Sequence, residues 1–209
     1  MFLLLFRGFV IDSLLLKNMS EKLRTFIAIS LPESVLQAMM NAQEALKESG
    51  FRIRWVRKEG IHLTVKFLGD IERGDVERIH SAMQQVAQAF SPLALQGEGL
   101  GVFPDLRRPR VVWAGVSGDM ERLRALQREL EARLAGLGFP KEKRSFKGHL
   151  TLGRIKDRMD GVKLGEALRA LGDFRTTTFT VHSLVLFQSD LRPDGAVYSR
   201  LAEARLERV

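Results

Sequence analysis

The tetrapeptide His62-Leu63-Thr64-Val65 returns 87 residues further on as His149-Leu150-Thr151-Leu152. Imidazole is the side chain whose ordinary pKa, near 6.5, lets it take or give a proton around neutral pH. A hydroxyl two residues later can donate a hydrogen bond to an anionic oxygen. Residues i and i+2 share one face of a strand, so each imidazole and its hydroxyl would stand about 7 Å apart, from a rise of ~3.3 Å per residue. Two such pairs set around a common point suit in-line displacement at phosphorus. One imidazole takes the nucleophile's proton, the other protonates the leaving oxygen, and the hydroxyls hold the non-bridging oxygens. Two histidines with no cysteine and no carboxylate at either motif fall short of the three or four ligands a zinc site uses, so no metal is expected. The other two histidines, His80 on an amphipathic helix and His182 in a threonine-rich strand, read as surface or packing residues.

The strands that would carry these groups alternate cleanly. Over Ile61 to Leu68, alternation puts Ile61, Leu63, Val65 and Phe67 in the core and His62, Thr64 and Lys66 on the opposite face, which makes Lys66 a candidate phosphate neighbour. At the second motif Leu150 and Leu152 face inward. Strict alternation then sends Arg154 to their side, away from His149, unless the strand ends or bulges there. Two basic runs precede the motifs: Arg52, Arg54, Arg57 and Lys58, then Lys141, Lys143, Arg144 and Lys147. They would flank one cleft if the two strands lie side by side, and would attract a polyanion's phosphates. Phe146, within the second run, reads as core.

The whole chain supplies those strands in an order that repeats. Strands are expected over residues 25–30, 52–56, 61–68, 93–103, 110–116 and 149–155, with helices over 31–50, 75–90, 120–137 and 162–171. Residues 174–187 and 196–206 read as a hairpin across Arg192-Pro193-Asp194-Gly195. No Pro/Gly/Ser linker divides the chain, and a helix, basic segment, H-L-T strand, helix and strand recur twice. A two-lobed, pseudo-symmetric α+β domain follows.

The chain has 209 residues, no cysteine, and 33 basic against 25 acidic side chains, net +8. The missing cysteine excludes disulfides, thiolate metal sites and a cysteine nucleophile, and fits a reducing, cytoplasmic setting. The charge suggests a polyanionic partner, RNA, DNA or anionic lipid. Residues 1–18 hold two leucine-rich runs, but Arg7 and Asp12 interrupt them short of the ~20 apolar residues a spanning helix needs. They are expected to be a non-native or disordered leader, not a membrane anchor, ahead of a single domain over 19–209. No phosphate-cradling G-x-x-x-x-G-K-[ST] loop is present, which argues against ATP.

These segments together resemble the two-histidine (2H) phosphoesterases, in particular the RNA 2',3'-cyclic phosphodiesterases also known as bacterial 2'-5' RNA ligases. The resemblance runs over about residues 24–201. It is carried by Arg24 to Ile29, Trp55-Val56-Arg57, His62 to Gly69, Gly99 to Pro104, Arg110 to Gly115, His149 to Arg154, and Leu191-Arg192-Pro193 through Tyr198. It implies two pseudo-symmetric lobes of antiparallel sheet with outer helices around a central cleft. It implies hydrolysis of an RNA 2',3'-cyclic phosphate end to a 2'-phosphate, without metal or nucleotide cofactor, by a protein taken to be a monomer. His62 and His149 are then the acid/base pair, and Thr64, Thr151, Arg154 and Lys66 the phosphate-binding set. The reading leans to His62 as acid and His149 as base, although pseudo-symmetry permits either. Two other readings stay open: a non-catalytic RNA-binding module on the same scaffold, and 2'-5' RNA ligation as the main activity. One departure is plain: the family commonly has proline directly before the second histidine, and this chain has Gly148.

Overall fold

The computed structural model describes residues 22–193 and 195–207. The expected leader, residues 1–18, and Asp194 of the hairpin turn lie outside these described residues. The strands are β1 (Lys22–Ile29), β2 (Arg54–Trp55), β3 (Leu63–Glu72), β4 (Leu93–Phe103), β5 (Val111–Gly118), β6 (His149–Arg154), β7 (Phe179–Val181), β8 (Ser183–Arg192) and β9 (Gly195–Arg205). The helices among the described residues are α1 (Glu33–Glu48), α2 (Val76–Ala87), α3 (Met120–Gly136) and α4 (Gly161–Ala170), with single 3-10 turns at Lys58–Gly60 and Arg73–Asp75. No helix of the described residues is long and apolar enough to cross a membrane.

The strands pair in the order β7-β4-β5-β6-β3-β1-β8-β9, all antiparallel, with β2 added to β6. This is an α+β fold of two four-stranded halves with helices outside. The halves meet where β3 touches β6 at a single residue pair, Leu63 opposite Leu150. Both leucines are fully buried, and each such burial stabilises the fold by about 1.5–3 kcal/mol. The motif spacing therefore reflects a pseudo-two-fold axis through that pair.

The helices bury the faces their apolar stripes dictate: Val35, Met39, Ala42 and Leu46 on α1, Ile79, Met83 and Val86 on α2, and Leu123, Leu126, Leu130 and Leu134 on α3. Helix α1 crosses to the half built from β6, where Gln43 Nε2 donates to the carbonyls of Val56 and Leu152, both at 2.9 Å. Helix α2 lies against the other half, with His80 Nε2 3.0 Å from the Glu203 carbonyl, a packing role as expected.

One expected element divides. The apolar run 174–187 is not one strand: β7 pairs with β4 at one end of the sheet, and β8 pairs with β1 in the other half. The chain changes halves at His182, whose carbonyl accepts from Leu206 N at 2.8 Å. Local pattern cannot show this switch, because no turn residue separates the two pieces and the choice of partner strand is tertiary. The hairpin is present, with Arg192 opposite Gly195.

Candidate active site

An antiparallel pair centred on Leu63 and Leu150 places residue 62 beside 151 and residue 64 beside 149. The two imidazoles and two hydroxyls expected from the motifs are thus brought to one point, each histidine next to the other motif's threonine. Each ring is also held by the backbone two residues upstream. His149 Nδ1 donates to the Lys147 carbonyl at 2.8 Å, and His62 makes its hydrogen bond with Gly60. Because a carbonyl only accepts, Nδ1 of His149 carries the proton of that bond, which leaves Nε2 as the nitrogen not engaged by it.

The two rings have unlike surroundings. His62 stacks on Phe26 at 4.6 Å between centroids and meets Tyr198 edge-on at 5.3 Å, with Phe187 behind at 6.2 Å. Burial among these rings pushes the His62 pKa down to about 4, the Arg154 guanidinium and His149 push the same way, and the Gly60 hydrogen bond opposes them. Among the described residues His149 meets one aromatic ring, edge-on to Phe103 at 5.0 Å. Its approach does not rest on a proline. The position a Cβ would take at Gly148 has ordinary contacts, 3.4 Å to Met120 Cε and 3.6 Å to Leu63 Cδ1, so the Lys147 carbonyl and the strand hold the ring.

Both motif strands bulge directly after the threonine. In β3, Ala28 pairs with Thr64 and Ile27 with Lys66, so Val65 is the extra residue. In β6, Trp113 pairs with Thr151 and Val112 with Gly153, so Leu152 is extra. A bulge resets alternation, and this decides both basic candidates. Arg154 turns to the cleft, lines it with His62, and acts on that ring's charge.

Lys66 turns the other way, which corrects the expectation that it shares the His62 face. It is 4% exposed, and its Nζ donates to Glu131 Oε2 at 2.8 Å and to the Pro140 carbonyl at 2.7 Å. Glu131 accepts as well from Glu142 N at 3.1 Å and Gln127 Nε2 at 3.2 Å. This buried network ties β3 to α3 and to the segment that leads into His149. Phe67, expected in the core, takes the vacated place on the cleft wall and is 45% exposed. Glu131 and Gln127 were legible in one respect: they interrupt the leucine stripe of α3 at positions i and i+4, and a carboxylate on a buried face needs a cation.

The cleft beside His62 has a volume of ≈ 650 Å³. Its walls come from β1, β3, the β2 segment and the β8–β9 hairpin, and they include Arg54 and Arg57 of the first basic run. Residues of the second basic run do not line it. Phe146 packs on the core, as expected. Among the described residues no group of three or more His, Asp or Glu side chains converges.

Comparison with known proteins places this geometry. The family model for LigT-like phosphoesterases matches residues 29–113 and 115–198. The chain belongs to this family. The LigT-like phosphoesterases are part of the two-histidine superfamily, and the protein is accordingly an enzyme of the phosphodiesterase class. It is 33% identical over 185 residues to the RNA 2',3'-cyclic phosphodiesterase of Methanothermobacter thermautotrophicus, covering 88% of this chain and all of that one. It is likewise 33% identical over 186 residues to the enzyme of that name from Aquifex aeolicus, covering 86% and 95%. Among solved structures, TT0787 of Thermus thermophilus superposes with a TM-score of 0.74 at 26% identity, over 88% of this chain and 97% of that chain. LigT of E. coli shares the fold, with a TM-score of 0.69 over 90% of this chain.

Proposed function

We propose that this LigT-like phosphoesterase hydrolyses a terminal RNA 2',3'-cyclic phosphate to a 2'-phosphate, with His62 and His149 as a metal-independent acid/base pair. One observation carries the reading: the Leu63–Leu150 pair sets two imidazoles and two threonine hydroxyls around one point. The names of the relatives at 33% identity support the substrate class.

The environments argue for opposite roles at the two rings. An imidazole held near 4 is neutral at neutral pH, with one nitrogen's lone pair to accept a proton while its single N–H is engaged by the Gly60 backbone. His62 is therefore the base and His149 the acid, the reverse of the lean taken from the motifs alone. Water attacks phosphorus and passes its proton to His62. The phosphorus–O3' bond breaks, and His149 protonates O3'. Thr64 and Thr151 donate to the non-bridging oxygens, and Arg154 offsets the charge that gathers on them. Each proton transfer contributes on the order of 10²–10⁴ in rate. Both rings come from one chain, which supports a monomer as the working unit, and the cysteine-free composition supports the cytoplasm.

The test is product mapping. Purified protein is incubated with an RNA oligonucleotide ending in a 2',3'-cyclic phosphate, with and without EDTA. A 2'-phosphate product at equal rate in both samples is expected. An unchanged substrate, or a 3'-phosphate product, overturns the reading. Loss of rate with EDTA overturns metal independence.

A further inference from the structure

The cleft holds more than one cyclic phosphate requires. That group carries a single negative charge, and Arg154 already stands beside His62. Arg24, Arg54, Arg57 and Arg192 also line the cleft, and among the described residues no carboxylate lines it. Two of the four large hydrophobic side chains exposed among the described residues sit in these same walls, Phe67 at 45% and Leu191 at 71%. The Arg24 guanidinium lies over the Phe67 ring, 4.7 Å from its centroid. An open aromatic face backed by a cation is the platform on which single-stranded nucleic acids stack a base. The bulge at Val65 puts Phe67 there, and β3 carries it five residues beyond His62, up to roughly 16 Å along the strand at ~3.3 Å per residue.

We infer that Phe67 and Arg24, with Leu191 and Arg192 of the same cleft, form a subsite for the nucleotide preceding the cyclic end. Phe67 stacks its base, and the arginines hold its phosphate. The inference rests on the proposed activity toward RNA cyclic ends. It makes the enzyme one that reads a strand in preference to a free nucleoside cyclic phosphate.

The experiment compares kcat/KM for a nucleoside 2',3'-cyclic phosphate with that for a dinucleotide and a tetranucleotide ending in the same group. A ratio between substrates is independent of the folded fraction, so a poorly folding variant still gives an answer. The wild-type protein should prefer the dinucleotide by about ten-fold, within the roughly 5- to 150-fold that stacking of one base is worth. Phe67→Ala and Arg24→Gln should each cut the preference about ten-fold, and Phe67→Trp should restore it. On the dinucleotide, Arg24→Gln should also flatten the log–log dependence on salt by about 0.7, the share of one single-strand phosphate. Equal kcat/KM on mononucleotide and dinucleotide in the wild type overturns the subsite and leaves the proposed activity standing. A loss in Phe67→Ala that is the same on both substrates assigns the platform to the terminal base and also overturns it. Hydrolysis of none of the three overturns the activity on which the inference rests.

Discussion

The His62 strand and the His149 strand begin from the same three residues and end as different chemical environments. Each strand runs His-Leu-Thr, each bulges one residue later, and each ring is bonded to the backbone two residues upstream. The walls differ. His62 is packed among Phe26, Phe187 and Tyr198 and faces Arg154, whereas among the described aromatic rings His149 has Phe103 alone at its edge. A repeated motif supplies two equivalent imidazoles, and the unequal lobes bury one of them among aromatic rings, with its pKa held low. The residues after the bulges show the same divergence. Position 67 is phenylalanine where position 154 is arginine. Position 66 is a buried lysine where position 153 is a glycine whose added Cβ would lie 2.4 Å from Ile53 Cγ2.

The strongest way to break this comparison is to remove the rings. His62→Ala and His149→Ala should each lower kcat on a cyclic-phosphate oligonucleotide by on the order of 10²–10⁴, the range of a single acid or base. The double variant should lose little more than the worse single one, since the two act as a unit. Near-wild-type turnover in either single variant removes that ring from the reaction.

Lys66 tests the scaffold beneath. Lys66→Met leaves Glu131 charged and buried without its partner, which should cost roughly 3–5 kcal/mol in denaturant unfolding. Lys66→Met with Glu131→Leu should recover most of that loss, because the uncompensated charge is gone. If the single variant is as stable as the wild type, the pair is not buried as described. A phosphate-binding lysine would behave otherwise, losing affinity at unchanged stability.

Lys66 also shows where the sequence stopped being legible. Composition and spacing showed both motifs, the helices, the two-lobed order, and the four residues that the Leu63–Leu150 contact brings together. They did not show the bulges, because an extra residue is a property of two paired strands and leaves no trace in the alternation of one. Phe67 and Lys66 were therefore exchanged between core and cleft, while Arg154 was left dependent on a bulge that β6 does contain. The jump of the chain between halves at His182 is hidden for the same reason, since partner choice is tertiary. Tyr198 and Phe187 reach His62 only through the β8–β9 hairpin, and no local pattern points from them to the imidazole.

Protonation sharpens the comparison without changing the chain. The His62 pKa lies near 4 in the fold, against an ordinary value near 6.5. With His62 as base, kcat/KM should rise with pH through about 4 and then level. Arg154→Gln should move that limb upward by removing a cation beside the ring. An activity confined to pH below 4 would make His62 the acid. Stability follows the same shift. Between pH 6.5 and 4 the unfolded chain binds the proton and the folded ring does not, so acid favours unfolding there and stability rises with pH across that window. The total change from this group is about 3 kcal/mol at 1.36 kcal/mol per pKa unit, complete above pH 6.5 and absent below about 4. His62→Phe should remove that portion of the acid sensitivity, read as urea midpoints over the window.

The smallest effect belongs to the threonines, and it asks whether the halves are equivalent at the phosphate. The register sets Thr64 beside His149 and Thr151 beside His62, so each hydroxyl serves the centre of the opposite motif. A hydrogen bond to a charged oxygen is worth roughly 1.5–3 kcal/mol, which predicts about a 10- to 100-fold loss in kcat/KM for Thr64→Val or Thr151→Val. Valine keeps the shape and the β-branch, so the fold should not notice. The two losses need not match, because Thr64 also lines the arginine-rich cleft. With nearby guanidiniums to take over the oxygen, Thr64→Val should be the milder variant. Should Thr151→Val prove milder instead, the anionic oxygens lie nearer Thr64, and the charge that Arg154 is asked to offset develops beside His149.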